Sequence, residues 1–156
     1  MLSTSEFDPD DMLGAVRRLP EDLATTWARV ADLVLARAVP DLDGVVVAGM
    51  GGSAIGGDLA ARQFADDVRI PMEVARNYRL PAWVGPRSLV VASSFSGNTE
   101  ETLAAFDDAG RRGAYRAVVT SGGELAERAR RAGVQVVALP GGGQPRAALG
   151  ASLASL

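Results

Sequence analysis

The sequence predicts a doubly wound α/β fold, in which helices flank a five-stranded parallel sheet and further helices precede it. Three observations predict this fold class. Short apolar runs recur along the chain, amphipathic segments with helical spacing separate them, and turns rich in glycine or serine follow them. A strand that helices cover on both faces is apolar throughout. Strands that alternate with helices at this spacing form a parallel sheet with right-handed crossovers.

The predicted strands are short and rich in valine. They cover residues 45–48, 70–74, 88–92, 117–120 and 134–139. The helices predicted between the strands begin near glycine, serine or threonine, which are common at helix starts and in turns. These helices cover residues 53–64, 99–112 and 124–132. The chain from residue 44 onward is therefore predicted to be one α/β unit.

Residues 8–37 are predicted to be helical in two pieces. Pro20 is expected to start the second piece, because proline favours the first helical turn and the acidic Glu21 and Asp22 favour the positive end of the helix dipole. Apolar side chains then recur at helical spacing: Leu23, Trp27, Val30, Val34 and Leu35. Residues 144–156 begin like another helix, whose apolar side has no obvious cover. That side consists of Leu149, Leu153 and Leu156.

Composition limits the possible functions. With 156 residues, of which 47% are apolar and 22% charged, the chain fits a single globular domain. The net charge is −3, and the arginines are scattered or paired near predicted helix ends, so neither nucleic acid nor a membrane is expected as a partner. The first residues lack the apolar core of a signal peptide, and no run approaches the ~18 apolar residues of a membrane span. A cytoplasmic protein is therefore expected.

Two residue types that often carry catalysis are missing from the sequence. It contains no cysteine and no histidine, and all 16 basic residues are arginine. The lack of cysteine removes disulfides, thiolate nucleophiles and cysteine-based metal sites. The lack of histidine removes the commonest general acid or base and the commonest metal ligand. We therefore expect neither a metal nor another cofactor.

Two unusual loops follow the first and third predicted strands. They are GMGGSAIGG at residues 49–57 and SSFSGNTEE at residues 93–101. In an open parallel sheet, ligands bind beyond the carboxyl ends of the strands. Glycines allow the backbone to approach a ligand, and the helix that follows each loop offers unpaired N–H groups and a positive dipole end. Both loops are therefore predicted to bind an anion.

Hydroxyl groups add donors to these loops. Ser53 lies at the start of the first helix, and Ser94, Ser96 and Thr99 lie in the second loop. Because neither loop contains Lys or Arg, the predicted ligand is a small phosphosugar rather than a triphosphate with its metal. A structural interpretation stays open for each feature, because a glycine at a strand–helix turn is often only steric and Thr99 is in the position of a helix cap.

A dinucleotide site is the rival interpretation of the first loop. Gly49, Gly51 and Ala54 fit the permissive form of the dinucleotide fingerprint. That fingerprint requires an acidic residue at the end of the second strand, and the candidate, Glu73, lies inside the predicted strand. A nucleotide-binding Rossmann-like domain also leaves the Ser- and Thr-rich loop unexplained, and the chain contains no Gly-Lys-Ser/Thr sequence of a P-loop.

Four stretches of the chain resemble the sugar isomerase (SIS) fold. They are GMGGSAIGGDL, SSFSGNTEETL, TSGGELAE and LPGGGQPRAALG, in this order over nearly the whole chain. They are most similar to the N-terminal half of the bifunctional phosphoglucose/phosphomannose isomerases. The resemblance implies a flavodoxin-like, five-stranded sheet and a hexose 6-phosphate as ligand. It implies that the phosphate-binding residues are Gly52, Ser53, Ser94, Ser96 and Thr99. It also implies that Arg146 faces the enediolate. The alternative for Arg146 is a solvated arginine in the first turn of a helix.

The resemblance also implies a division of the chain. Residues 1–43 are expected to be a helical segment packed on the domain, residues 44–143 the SIS domain, and residues 144–156 the start of a helix that leads to a second SIS domain. The base Glu, the ring-opening His and a Lys of the resembling enzymes come from that second half. The chain is therefore expected to be inactive alone and to pair with such a half or with a second copy in a homodimer. The alternative is a free-standing SIS module that binds a sugar phosphate for sensing or regulation.

Overall fold

The structure is a computed structural model that describes residues 7–34, 41–142 and 144–156. The part of the predicted N-terminal helix that covers residues 35–37, including the predicted apolar position Leu35, lies outside the described residues. Residues 1–6 of the predicted helical segment and residue 143 at the predicted domain boundary also lie outside them.

Five parallel strands form one sheet, as the sequence predicts. The strands are β1 (Gly44–Ala48), β2 (Met72–Ala75), β3 (Ser88–Ser94), β4 (Tyr115–Thr120) and β5 (Gln135–Ala138). They are ordered β2-β1-β3-β4-β5, and every neighbouring pair is parallel. The chain leaves β1 toward one edge of the sheet and leaves β3 toward the other. The carboxyl ends of β1 and β3 therefore form the switch point at which such sheets bind ligands.

Helices cover both faces of the sheet. They are α1 (Met12–Val30), α2 (Gly51–Gln63), α3 (Glu100–Arg111), α4 (Gly123–Arg131) and α5 (Leu149–Ala154), with a 3-10 turn at Pro145–Ala147. Val46 of β1 packs with Ala105 of α3 on one face, whereas the next residue, Val47, meets Gly57 of α2 on the other. Because successive side chains of a strand point to opposite faces, helices α2 and α3 lie on opposite sides of the sheet. Among the described residues, no helix combines the length and the apolar character that crossing a bilayer requires.

Helix α1 runs without interruption through Pro20, so the predicted break there is wrong. The reason lies in packing on both sides of the proline. A Cβ placed on Gly150 of α5 would lie 2.8 Å from the carbonyl oxygen of Leu19 and 3.2 Å from the amide nitrogen of Leu23. Helix α5 thus contacts α1 both before and after Pro20. Val34 lies beyond the end of α1 and is 80% exposed, so the predicted apolar face does not continue to it.

The C-terminal segment is covered within this domain, which corrects the expectation that its apolar side lacks cover. Helix α5 packs between α1 and α2, with Gly150, Ala151 and Ser152 buried. The three leucines of the segment are half-buried; they are Leu149, Leu153 and Leu156. Ala151 and Leu156 pack against the apolar cluster around Val119 on the sheet. The segment is thus part of the fold described here.

Candidate functional site

The two loops singled out in the sequence meet beyond the ends of β1 and β3. A Cβ placed on Gly49 would lie 2.8 Å from the carbonyl oxygen of Ser93 and 3.2 Å from the Cβ of Ser53. A side chain at residue 49 would therefore push the loops apart. The Gly49 amide donates to the carbonyl oxygen of Ala75 at 3.1 Å, which ties the first loop to the end of β2 as well.

The first loop presents unpaired donors at the start of α2. Met50 is in the capping position but supplies no side-chain hydrogen bond, and its carbonyl oxygen accepts from the amides of Ser53 and Ala54. No described residue accepts a hydrogen bond from the N–H groups of Gly51 and Gly52. Gly51 has a φ of +52° and a Cβ there would face open space. Two amides at the positive end of a helix are therefore without an acceptor among the described residues.

Ser53 adds a hydroxyl to these amides. The sequence predicts that this residue begins the helix, but it lies in the first turn, two residues after Gly51. Its residue exposure is only 8%, and its hydroxyl has no hydrogen-bond partner among the described residues. The fully buried hydroxyls without a partner among the described residues belong to Ser93, Thr102 and Ser152, so the Ser53 hydroxyl is not fully buried. A ligand at the first loop could accept its hydrogen bond.

In the second loop, two hydroxyls are paired with each other. Ser94, which is 3% exposed, lies at the end of β3, and its Oγ is 2.9 Å from the Oγ1 of Thr99. The Ser94 Oγ also accepts from the Gly97 amide at 3.1 Å. One of the two hydroxyl protons is used between Ser94 and Thr99, so the other remains available. Ser96 is exposed, and its Oγ accepts from the Asn98 amide at 3.2 Å.

Thr99 occupies the capping position of α3 but does not cap the helix with its side chain. Its hydroxyl is directed to Ser94 instead. The amides of Glu100 and Glu101 consequently have no hydrogen-bond acceptor among the described residues. Thr99 is thus in the capping position, as the sequence indicates, but its side chain forms no capping hydrogen bond, and the second loop, like the first, leaves its helix start open.

A third loop, which follows β4, fixes the position of the second. The Glu124 amide donates to the Asn98 Oδ1 at 3.0 Å, and the Leu125 amide donates to the Gly97 carbonyl oxygen at 2.9 Å. Gly97 has a φ of +69°, and a Cβ there would overlap the carbonyl oxygen of Gly122. Asn98 was not among the predicted site residues. Its side chain binds the start of α4, 26 residues away, and no local pattern reports such a contact.

Arg146 lies at the edge of this site. It belongs to the 3-10 turn rather than to the first turn of a helix, and its side chain is exposed. The turn approaches α2, because a Cβ on Gly52 would lie 3.7 Å from the Pro145 carbonyl oxygen. Within the described chain, the Arg146 guanidinium forms neither an ion pair nor a hydrogen bond. The structure thus leaves a free positive charge beside the first loop.

The opposite edge of the site carries negative charge. Glu100 and Glu101 lie in the first turn of α3, and the Tyr78 hydroxyl donates to the Oε2 of Glu100 at 3.3 Å. The charge of Glu101, followed by burial and by Glu100, raises the pKa of Tyr78. In the described part of the chain, no group of three acidic, histidine or cysteine side chains could hold a metal ion.

The geometry does not fit the dinucleotide interpretation. Glu73 lies inside β2, where it pairs in register with Val46, and it accepts a hydrogen bond from the Trp83 indole at 3.4 Å. Arg76 is the first residue after β2, and it forms an ion pair with Asp58 of α2. An acid that binds a ribose hydroxyl belongs at the end of this strand. A basic residue stands there instead.

Comparison with known proteins shows close relatives. No protein-family model matches the chain. The chain is 45% identical over 145 residues to the bifunctional phosphoglucose/phosphomannose isomerase of Caldicellulosiruptor bescii, a match that covers 93% of this chain and 43% of that protein. It is 42% identical over 106 residues to the protein of the same name from Thermoplasma acidophilum, which covers 68% of this chain and 32% of that protein. The chain therefore spans less than half the length of these relatives.

Solved structures show the same fold at low sequence identity. Tagatose-6-phosphate ketose/aldose isomerase from Escherichia coli matches with a TM-score of 0.69 and 17% identity, over 91% of this chain and 44% of that one. The Vibrio vulnificus NanR protein complexed with ManNAc-6P matches with a TM-score of 0.57 and 19% identity, over 96% of this chain and 59% of that one. Sequence relatives and fold agree with the four motifs: the chain is a sugar isomerase (SIS) domain homologous to the bifunctional phosphoglucose/phosphomannose isomerases.

Proposed function

We propose that this chain is the phosphosugar-binding part of an aldose–ketose isomerase that converts glucose 6-phosphate or mannose 6-phosphate to fructose 6-phosphate. In this proposal residues 44–143 form the binding domain, residues 1–43 pack on it, and residues 144–156 lead toward the part that supplies further catalytic groups. The residues that hold the phosphate are Gly52, Ser53, Ser94, Ser96 and Thr99.

One observation carries the proposal: two sets of hydrogen-bond donors, whose amides have no acceptor among the described residues, meet at the switch point of the sheet. The first set is the amides at the start of α2 with the hydroxyl of Ser53, and the second is the amides at the start of α3 with the Ser94–Thr99 hydroxyl pair. A hydrogen bond to a charged group is worth roughly 1.5–3 kcal/mol, and a helix terminus adds about 0.3–2 kcal/mol. Four or five such contacts hold a phosphate dianion without a lysine.

Arg146 provides the charge that the reaction itself needs. Isomerisation moves a proton between C1 and C2 of the open-chain sugar, and negative charge develops on an oxygen in the enediolate between them. A guanidinium placed beside that oxygen stabilises the charge as it forms. The exposed, unpaired state of Arg146 next to the first loop supports this role.

The chain does not supply every group for the proton transfers. The reaction requires a carboxylate base for the proton and an acid that opens the sugar ring. Glu100 and Glu101 lie in the first turn of α3, beside the proposed phosphate, a position in which acidic residues are common. We assign them to the helix start rather than to proton transfer. The base and the acid are then contributed by a second SIS half.

Calorimetry combined with an activity assay tests this proposal. We expect the purified chain to bind fructose 6-phosphate, to bind fructose at least tenfold more weakly, and to form no fructose 6-phosphate from glucose 6-phosphate or mannose 6-phosphate. Failure to bind fructose 6-phosphate would overturn the proposal. Turnover by the chain alone would refute the assignment of the base and acid to a second half.

A regulatory module is the second candidate, and one observation favours it. Helix α5 is already packed between α1 and α2, with Gly150, Ala151 and Ser152 buried, so much of this segment is covered within the domain. The NanR protein, which shares the fold, is complexed with a sugar phosphate. Mixing the chain with the separately produced remainder of the Caldicellulosiruptor bescii relative distinguishes the two. Restored turnover supports the isomerase, whereas sugar phosphate binding without turnover favours the module.

A further inference from the structure

The segment that follows β2 forms one wall of the candidate site. Arg76 pairs with Asp58 of α2, and Tyr78 binds Glu100 at the start of α3. Helices α2 and α3 lie on opposite faces of the sheet, so residues 76–78 cross from one face to the other beyond the strand ends. They border the switch point on the β2 side, while the loop after β4 borders it on the opposite side.

Contacts with the C-terminal end of α3 hold the connection that carries this wall in place. The Arg112 guanidinium donates to the carbonyl oxygens of Pro81 at 2.8 Å and Leu80 at 3.5 Å, and it pairs with Asp108 at 2.7 Å. The side chains of Leu80 and Val84 are each only 5% exposed. The connection between β2 and β3 therefore lies in a fixed position, although it contains no helix.

The phenol of Tyr78 is available for a ligand. The side chain is half exposed, and its one hydrogen bond among the described residues, to Glu100, is long at 3.3 Å. An O–H···O bond is ordinarily about 2.7–2.8 Å long. The ordinary pKa of a tyrosine, 10.0, already lies far above neutral pH, and the charge of Glu101, burial and Glu100 raise the pKa of Tyr78 further, so its hydroxyl can donate a hydrogen bond to a ligand. A sugar hydroxyl at hydrogen-bonding distance could take the place of Glu100.

We propose that Tyr78 determines specificity by hydrogen-bonding a hydroxyl of the sugar, while the two loops bind the phosphate. This inference rests on the proposed function and extends it to the part of the substrate that the loops do not reach. A phosphate at the starts of α2 and α3 leaves its sugar to extend outward past the wall that carries Tyr78. Tyr78 then distinguishes a phosphosugar from phosphate alone.

The test compares two ligands on two variants. For Tyr78→Phe, we expect the affinity for fructose 6-phosphate to fall roughly threefold to tenfold, the effect of one hydrogen bond, while the affinity for inorganic phosphate stays within twofold. The control is Trp83→Phe, which removes an indole hydrogen bond from the same connection. The Trp83 ring packs against Gly44 at the start of β1. This is the amino-terminal end of the strand, whereas the site lies at the carboxyl ends, so both affinities should be unchanged.

The possible outcomes distinguish a failure of this inference from a failure of the proposed function. Because Tyr78 is half exposed, Tyr78→Phe should fold, and its thermal unfolding midpoint should match that of the parent chain. If the parent chain does not bind fructose 6-phosphate, the proposed function and this inference both fall. If it binds and Tyr78→Phe binds equally well, the inference alone is wrong. An equal loss of affinity for both ligands would show that Tyr78 only supports the loops, which also overturns the inference.

Discussion

At the scale of the residue, the candidate site depends on neutral donors rather than on cations. Among the described residues the Ser53 hydroxyl has no hydrogen-bond partner, and Ser94 and Thr99 share one hydrogen bond between two hydroxyls. In the proposed function Arg146 faces the reacting end of the sugar, and hydroxyls and amides bind the phosphate. Such binding requires that the donors be in position before the ligand arrives. The glycines at the loop contacts allow the loops to pack closely, and this packing holds the donors in position.

Removing the hydroxyl pair should weaken binding directly. For the double variant Ser94→Ala with Thr99→Ala, we expect the affinity for fructose 6-phosphate to fall at least tenfold, because one charge-assisted donor and the support of the Gly97 amide are lost. Titration calorimetry measures the change. Thr25→Ala, an exposed threonine on α1, is the control and should bind like the parent chain. Unchanged affinity in the double variant would remove the second loop from the site.

Single residues of the site were predictable where the signal is local. Ser53, Ser94, Ser96 and Thr99 lie in glycine-containing loops at strand–helix turns, and that pattern predicts an anion site. Asn98 was missed because its partner, the Glu124 amide, belongs to a different loop. The roles of the predicted phosphate-binding residues and of Arg146 stay predictions, because no ligand contact has been observed for them.

At the scale of the element, an ion pair on α3 couples the stability of the fold to pH. Burial alone would raise the pKa of Asp108, but the hydrogen bonds and charges of Arg112 and Arg111 outweigh burial and hold that pKa below its ordinary value of 3.8. A carboxyl with a lowered pKa in the folded state stabilises the fold above its unfolded pKa. That contribution is lost as the pH falls through the folded value.

Asp108→Asn should therefore be destabilised near neutral pH by about 1–2 kcal/mol, and the difference from the parent chain should shrink as the pH falls below about 4. Urea unfolding at a series of pH values measures this. Asp66→Asn, an exposed acid outside the ion pairs of the described residues, controls for the change in net charge. A difference that stays constant or grows on acidification would contradict the role of this ion pair.

The packing of α5 gives a second prediction for an element. Gly150→Ala should destabilise the fold by about 1–3 kcal/mol, because the added methyl group would meet the backbone of α1 at Leu19. A Cβ at Gly141 would have no atom within 4 Å, so Gly141→Ala is the control and should change stability by less than about 0.5 kcal/mol. Thermal unfolding measures both. A Gly150→Ala variant as stable as the parent chain would show that α5 is not packed as described.

The elements were largely predictable, and the exceptions share a cause. The five strands and the helices between them follow from apolar runs and turn residues, which are local. Pro20 also gave a local signal, but α1 continues through it because α5 supports the backbone on both sides. The cover of α5 by α1 and α2 depends on contacts between residues 96 to 131 positions apart, which periodicity does not report.

At the scale of the whole molecule, strand order creates the site. The order β2-β1-β3-β4-β5 sets the ends of β1 and β3 side by side and sends α2 and α3 to opposite faces. Two helix starts with unpaired amides therefore meet at one point. Alternation of strands and helices predicts a doubly wound sheet, and the adjacency of these two loops follows from that topology. The wall formed by residues 76–78 was not predictable, because the connection between β2 and β3 that carries it has no regular structure.

The most direct test of the central claim is an amide-resolved NMR titration of the ¹⁵N-labelled chain with fructose 6-phosphate, and with fructose as the control. We predict that the largest changes in amide chemical shift on adding fructose 6-phosphate occur at Gly51, Gly52, Ser53, Glu100 and Glu101, and that fructose produces none of them. Unchanged amides at these two helix starts, while other amides shift or none do, would contradict the account.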